Sequence, residues 1–221
     1  MRDRSKVTVD RERAALLVVD MQPDFMPGGA LAVDEADLLI EPIGRLMTSG
    51  LFGRVIATQD WHPPGHISFA SSHPGRSPFD VIDLWGREQI LWPDHCVQQT
   101  PGAALHEALP WGTVSAVVRK GTDPEVDSYS GFRNNWDKHG RRPPTGLAGL
   151  LFELGMDQVV IAGLARDFCV RWSAEDARAA GFRTIVPWDL TRAVDPESDQ
   201  RVRRDLLENG VEITTSELLT T

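Results

Sequence analysis

Cysteine is scarce in this chain: Cys96 and Cys169 are the only two among 221 residues. Two cysteines cannot build the disulfide framework of a small secreted domain, so both thiols are free for packing or chemistry. No stretch approaches the roughly 20 consecutive apolar residues that span a bilayer. The start, Met1-Arg2-Asp3-Arg4-Ser5-Lys6, is charged, and the apolar run after it is too short for the core of a signal peptide. A soluble, cytoplasmic protein without membrane contact is the expectation. Dense runs of Lys and Arg are absent too. With 23 Lys+Arg against 32 Asp+Glu the formal net charge is −9, which argues against a nucleic-acid partner. Repeats, low-complexity tracts and dividing linkers are also missing, so residues 1–221 read as one domain. At 41% hydrophobic and 25% charged, the chain is too apolar for disorder and long enough to bury a core unaided.

Six short apolar runs rich in β-branched residues are present: Ala15–Val19, Arg54–Thr58, Val114–Val118, Gln158–Ala162, Arg183–Val186 and Val211–Thr214. Near-continuous runs such as Leu16-Leu17-Val18-Val19 suit strands buried on both faces of a parallel sheet. Helical spacing marks Ala36–Met47, Thr145–Leu154, Cys169–Ala180 and Asp199–Asn209, and Gly155, Gly181 and Gly210 follow as stop signals. Alternating strand and helix predicts a doubly wound α/β fold, with a mostly parallel six-stranded sheet and helices on both faces. A loop-rich insertion at about 63–110, full of Pro, Gly, His and Trp, interrupts that rhythm. A second irregular piece covers Gly121–Pro144.

In open α/β sheets ligands bind beyond the carboxyl ends of the strands, so the residues after each apolar run matter most. They are Asp20, Asp60-Trp61-His62, Arg119-Lys120-Gly121 and the turn Gly163–Cys169. Cys169 falls at a predicted helix start, where unpaired N–H groups would favour a thiolate and lower the thiol pKa. Asp20 could take the thiol proton while Lys120 keeps that carboxylate ionised and oriented. His62 is the alternative base. Asp60 and His62, two apart on extended backbone, point the same way; with His95 they make a two-His, one-carboxylate set suited to a divalent metal. Cys96 reads as packing. His73, His106 and His139 lack a partner pattern, and His66 stays open.

Five segments carry a resemblance: Asp20-Met21-Gln22-Pro23-Asp24-Phe25, Asp60-Trp61-His62-Pro63, Trp92-Pro93-Asp94-His95-Cys96-Val97, Lys120-Gly121-Thr122 and the stretch from Gly163 to Val170. In this order they resemble the nicotinamidases (pyrazinamidases) of the isochorismatase-like cysteine hydrolase superfamily, over most of the chain. The segment from Lys120 to Phe132 is similar to nicotinamidases in particular. The resemblance implies a catalytic triad of Asp20, Lys120 and Cys169. It implies an oxyanion hole from the N–H groups of Ala165 and Cys169, with a cis peptide between Leu164 and Ala165. It also implies one divalent metal on Asp60, His62 and His95, with Phe25 and Trp92 against a pyridine ring. His66 aligns loosely with a residue that ligates metal in some members. Zinc, iron and manganese all suit this set. Two residues depart from the pattern: Arg166 stands where Thr is usual and Phe168 where Tyr is usual, which bears on loop packing or substrate preference.

The implied reaction is hydrolysis of nicotinamide to nicotinate and ammonia through a cysteine thioester, within NAD salvage, with pyrazinamide as a further substrate. Sibling amidases acting on N-carbamoylsarcosine or maleamate would share the Asp–Lys–Cys set, and a non-catalytic binding protein could share the fold. The expected partner is a small amide, with homo-oligomerisation left open.

Overall fold

Alternation along the first apolar run decides how the protein is layered. In the computed structural model, which describes residues 6–221, this run forms strand β1 (Ala14–Val19), buried along its whole length. Ala14, Leu16 and Val18 face one core cluster, whereas Ala15, Leu17 and Val19 face another. That two-residue period is what a central strand covered on both sides requires. The charged stretch Met1–Ser5 lies outside the described residues.

Five further strands complete the row: β2 (Arg54–Asp60), β3 (Ala116–Lys120), β4 (Gln158–Leu164), β5 (Arg183–Pro187) and β6 (Glu212–Thr214). Their order is β6-β5-β4-β1-β2-β3, and every pairing is parallel. The order reverses beside β1, so the crevice that an open α/β sheet offers to ligands opens at its carboxyl end. A seventh, two-residue strand, Thr191–Arg192, pairs with Gly163 and Leu164 at the end of β4. It carries no apolar run, so nothing in the local sequence announces it.

Helices α1 (Ile40–Met47), α2 (Leu147–Glu153), α3 (Arg171–Ala179) and α4 (Asp199–Glu208) flank the sheet. Helix α1 contributes Ile43, Leu46 and Met47 to the first core, together with Trp92, Ala103 and Leu109 from the insertion. Leu147 and Leu151 of α2, Ala174 and Ala177 of α3, and Val202 and Leu206 of α4 fill the second. Burying a Leu side chain is worth about 1.5–3 kcal/mol, so these cores hold the sheet rigid beneath the site. Gly155, Gly181 and Gly210 close α2, α3 and α4 with positive φ, as their stop positions predict.

Two boundaries move for physical reasons. β2 and β3 run on past their apolar stretches because register pairs Asp60 with Lys120. Before α3, residues Arg166–Val170 form a wide π-type turn, so Cys169 sits inside that turn and not on the first residue of the α-helix. The insertion contains an antiparallel hairpin, Val81–Leu84 with Arg87–Ile90. Among the described residues no helix is long and apolar enough to cross a membrane.

Candidate active site

Four strand ends converge at the carboxyl edge. Asp20 follows β1, Asp60 and Lys120 end β2 and β3, and the turn that holds Cys169 follows β4. Asp20 adopts φ 51°, a left-handed conformation that Asp tolerates better than most residues, and so turns off the strand. All four side chains are buried; Asp20 is fully inaccessible and Lys120 is 1% exposed.

The Lys120 ammonium is the hub. Its Nζ lies 2.9 Å from Asp20 Oδ2 and 2.9 Å from Asp60 Oδ1. It also donates to the Ser128 carbonyl at 3.1 Å and to Cys169 Sγ at 3.4 Å. Burial alone would push the ammonium pKa down, but Asp20 and Asp60 outweigh it and hold it well above its usual value. Lys120 is therefore a permanent, buried cation.

The carboxylates divide in character. Burial raises the Asp20 pKa, Lys120 opposes this, Asp60 adds to the rise, and Thr58, donating to Oδ1 at 2.7 Å, also opposes it. Asp60 resists burial because His62 and Lys120 stabilise its anion, and its pKa lies well below the ordinary carboxylate range. The two carboxylates are thus shifted in opposite directions, Asp20 up and Asp60 down.

The thiol departs from the sequence expectation. Burial holds Cys169 well above the ordinary thiol value; Lys120 opposes it, and Asp20, Asp60 and the hydrogen bond to Asp20 add to the rise. Stripping water from a sulfur anion costs more than the partial charge of a helix end returns, so desolvation wins over the helix-end effect. The Lys120 ammonium, 3.4 Å from Sγ, opposes this rise but does not cancel it. Cys96 is fully buried in the first core, as its packing assignment predicts.

Beside this cluster, His62 Nε2 and His95 Nε2 lie 3.1 and 3.4 Å from Asp60 Oδ2. The ligand atoms of Asp60, His62 and His95 all fall within 4.8 Å of one another, and all three residues are buried. His95 Nδ1 donates to the Pro93 carbonyl at 2.8 Å, which leaves the Nε2 lone pair for a cation. Two imidazoles and one carboxylate with open positions fit a divalent transition metal, so the predicted trio is present as a donor set.

His66 packs against His62 with ring centroids 4.3 Å apart. Its Nδ1 faces Ser68 Oγ at 2.8 Å and its Nε2 the Val126 carbonyl at 3.4 Å. Burial and the neighbouring His62 push its pKa down to about 4. With His62 and Asp127 it forms a second grouping of donor atoms. Among the described residues the His73 and His106 rings bond only to nearby backbone groups.

Above the cluster lies a cleft lined by Phe25, Trp92, Tyr129, Phe168, Ala165 and Cys169 among others. Trp92 meets Phe168 edge-on at 4.9 Å, and Tyr129 accepts the Trp92 Nε1–H at 3.2 Å. Phe25 and Trp92 both line the cleft. The Leu164–Ala165 peptide is cis, also as expected.

Several supporting residues are invisible to sequence reasoning. Gln22 clamps the Asp60 backbone, donating from Nε2 to its carbonyl at 2.8 Å and accepting its N–H at 2.7 Å. Asp24 Oδ2 accepts the Cys96 N–H at 2.6 Å, next to His95. Gly121, at φ 65°, is obligatory: a Cβ there would fall 2.4 Å from His62 Cε1. Tyr129 stands within a segment carrying the resemblance, whereas Thr58, Gln22 and Asp24 give no signal beyond their place in or near motifs.

Known proteins share this arrangement of strands and motifs. The isochorismatase domain family matches residues 14–217. The chain belongs to that family. A nicotinamidase of Acinetobacter baylyi is 48% identical over 199 residues, covering 90% of each chain. A crystal structure of the yeast nicotinamidase bound to the inhibitor nicotinaldehyde has a TM-score of 0.84 at 31% identity, covering 92% of this chain and 100% of the other. A pyrazinamidase of Pyrococcus horikoshii in complex with zinc has a TM-score of 0.73 at 35% identity, covering 92% and 99%.

Proposed function

We propose that this chain is an amidohydrolase that converts nicotinamide to nicotinate and ammonia, and that it also accepts pyrazinamide. The carrying observation is that Cys169 Sγ, the Lys120 ammonium and the Asp20 carboxylate meet in one buried cluster under an aromatic cleft. Relatives that cover nearly the whole chain carry the name nicotinamidase.

In this reading the pyridine ring lies among Phe25, Trp92, Tyr129 and Phe168, with the carboxamide over Cys169. Asp20 takes the Sγ proton as sulfur attacks the carbonyl carbon, a role suited to a carboxylate whose pKa is raised by burial. The tetrahedral oxyanion receives the N–H groups of Ala165 and Cys169; one such donor is typically worth about 10²–10³ in rate. Asp20 then returns the proton to the leaving nitrogen, the C–N bond breaks, and ammonia departs. Water, deprotonated by Asp20, attacks the thioester; the C–S bond breaks and the thiol regains its proton. Lys120 keeps Asp20 oriented throughout.

Asp60, His62 and His95 would hold a divalent cation, zinc, iron or manganese, whose Lewis acidity serves the ring nitrogen. That donor set and the aromatic walls favour a pyridine amide over the aliphatic amides of sibling enzymes. Two free cysteines support a reducing, cytoplasmic setting, and the product acid would feed NAD salvage. We assign the whole of residues 1–221 to one catalytic domain.

Cys169→Ala tests the proposal. Ammonia release from nicotinamide should vanish while circular dichroism and the unfolding midpoint stay near wild type; retained turnover would remove Cys169 from its role. Acid quenching during turnover should also trap a nicotinoyl adduct on the Cys169 peptide.

A further inference from the structure

Arg166 departs from the family pattern, and its surroundings explain what an arginine does there. Its side chain is only 7% exposed although it follows directly on Ala165. Nε donates to Thr191 Oγ1 at 2.8 Å, and Nη2 donates to the Thr191 and Trp188 carbonyls at 2.5 and 3.1 Å. Nη1 pairs with Asp199 Oδ2 at 2.5 Å, and the guanidinium lies 4.1 Å over the Trp188 ring. A planar fork with several fixed donors meets this array; an ammonium or a hydroxyl would satisfy only part of it.

Everything Arg166 grips belongs to one segment, Trp188–Asp199. That segment includes the short strand Thr191–Arg192 beside the end of β4 and the pocket-lining Val194. The next residue in the turn reaches the same segment with opposite charge: Asp167 accepts the N–H groups of Val194 and Asp195 at 2.9 and 2.8 Å. A cation and an anion on successive residues therefore fasten the turn from Ala165 to Cys169 onto one wall of the cleft. Helix α4 begins at Asp199, so the strap is also anchored in the second core through Val202.

We propose that Arg166 is a positioning residue: its clamp on Trp188, Thr191 and Asp199 sets the Ala165 N–H relative to Cys169. The inference rests on the oxyanion assignment of Ala165 and Cys169. Released from the clamp, the turn keeps its substrate pocket but loses alignment toward the tetrahedral oxyanion. Loss therefore falls on kcat more than on KM.

The experiment compares wild type, Arg166→Lys, Arg166→Thr and Asp199→Asn, with Arg183→Lys as a control. Arg183 makes a paired contact with Glu212 at 2.7 and 2.8 Å at the opposite end of the sheet. Nicotinamide turnover is measured together with inhibition by pyridine-3-carbaldehyde. Sγ adds to the aldehyde carbon as the C=O π bond breaks and Asp20 takes the thiol proton, leaving an alkoxide that calls on the same N–H donors. Expected for Arg166→Lys is a kcat lower by roughly 10- to 100-fold with KM within about 3-fold, and weaker aldehyde inhibition by a matching factor. Arg183→Lys should leave both readouts near wild type even where its unfolding midpoint falls. Folded Arg166 variants with unchanged kcat and aldehyde inhibition would overturn the proposal. If those variants do not fold, Asp199→Asn, which keeps the shape and removes the charge, decides by the same two readouts. A wild-type protein inert on nicotinamide would sink the proposed reaction instead, an outcome distinct from active wild type with indifferent variants.

Discussion

The two halves of the buried charged cluster are built differently. On one side, Asp20 and Lys120 stand on or directly after sheet strands and Cys169 in the turn that follows β4, so the sheet and its two cores set their mutual distances. On the other, Asp60 and His62 come from a strand end but His95 comes from the insertion, its ring donating to the Pro93 carbonyl and its neighbour Cys96 donating its N–H to Asp24. A scaffold-borne half is rigid because moving it disrupts the sheet; a loop-borne half depends on a few polar contacts. The halves are nevertheless one electrostatic unit, since Lys120 contacts both Asp20 and Asp60 at 2.9 Å.

Removing that link should have the largest effect. Lys120→Met keeps the volume and deletes the cation between two buried carboxylates. Breaking a buried pair typically costs about 3–5 kcal/mol, so urea unfolding should show a loss of that order and ammonia release should fall at least about 1,000-fold. Loss of activity with full stability would mean that the two halves are energetically separate. Gly121→Ala comes next and strikes only the metal half, because the new methyl would collide with the His62 ring. Bound metal measured by atomic emission should drop roughly 10- to 100-fold at fixed free metal, while Cys169 remains alkylatable.

Asp24→Asn should weaken the loop-borne ligand alone. The Cys96 N–H keeps an acceptor of lower charge, so metal affinity should fall by about 10-fold in a competition titration, with little change in the unfolding midpoint. The smallest expected effect sharpens the scaffold half. Thr58 donates to the ionised form of Asp20 and so lowers its pKa. Thr58→Val removes that donor and raises the pKa further. With Asp20 as the proposed proton acceptor, active only when ionised, the acid limb of kcat/KM against pH should move to higher pH; movement to lower pH would contradict that role.

What the residue order reveals follows the same divide. Asp20, Asp60 and Lys120 are visible because β-branched runs mark the strands and a parallel sheet brings their carboxyl ends to one edge. His95 can be paired with Asp60 only as one of several histidines, since no period connects it to β2. Gln22, Thr58 and Asp24 act across 38 or more residues through hydrogen bonds, and sequence spacing carries no record of such partners. The thiol pKa moves opposite to the sequence expectation because a helix end is a local feature, whereas desolvation depends on everything packed around Cys169.

By itself, then, the order of residues determined a parallel α/β sheet with acid, base and sulfur at one edge, because hydrophobic periodicity and strand polarity are local properties. Only the folded chain decided that Lys120 contacts both carboxylates, that burial raises the Cys169 thiol pKa, and that Arg166 ties the turn holding Cys169 to Thr191 and Asp199. Those outcomes depend on burial and on contacts between distant segments, which exist only once the cores have closed.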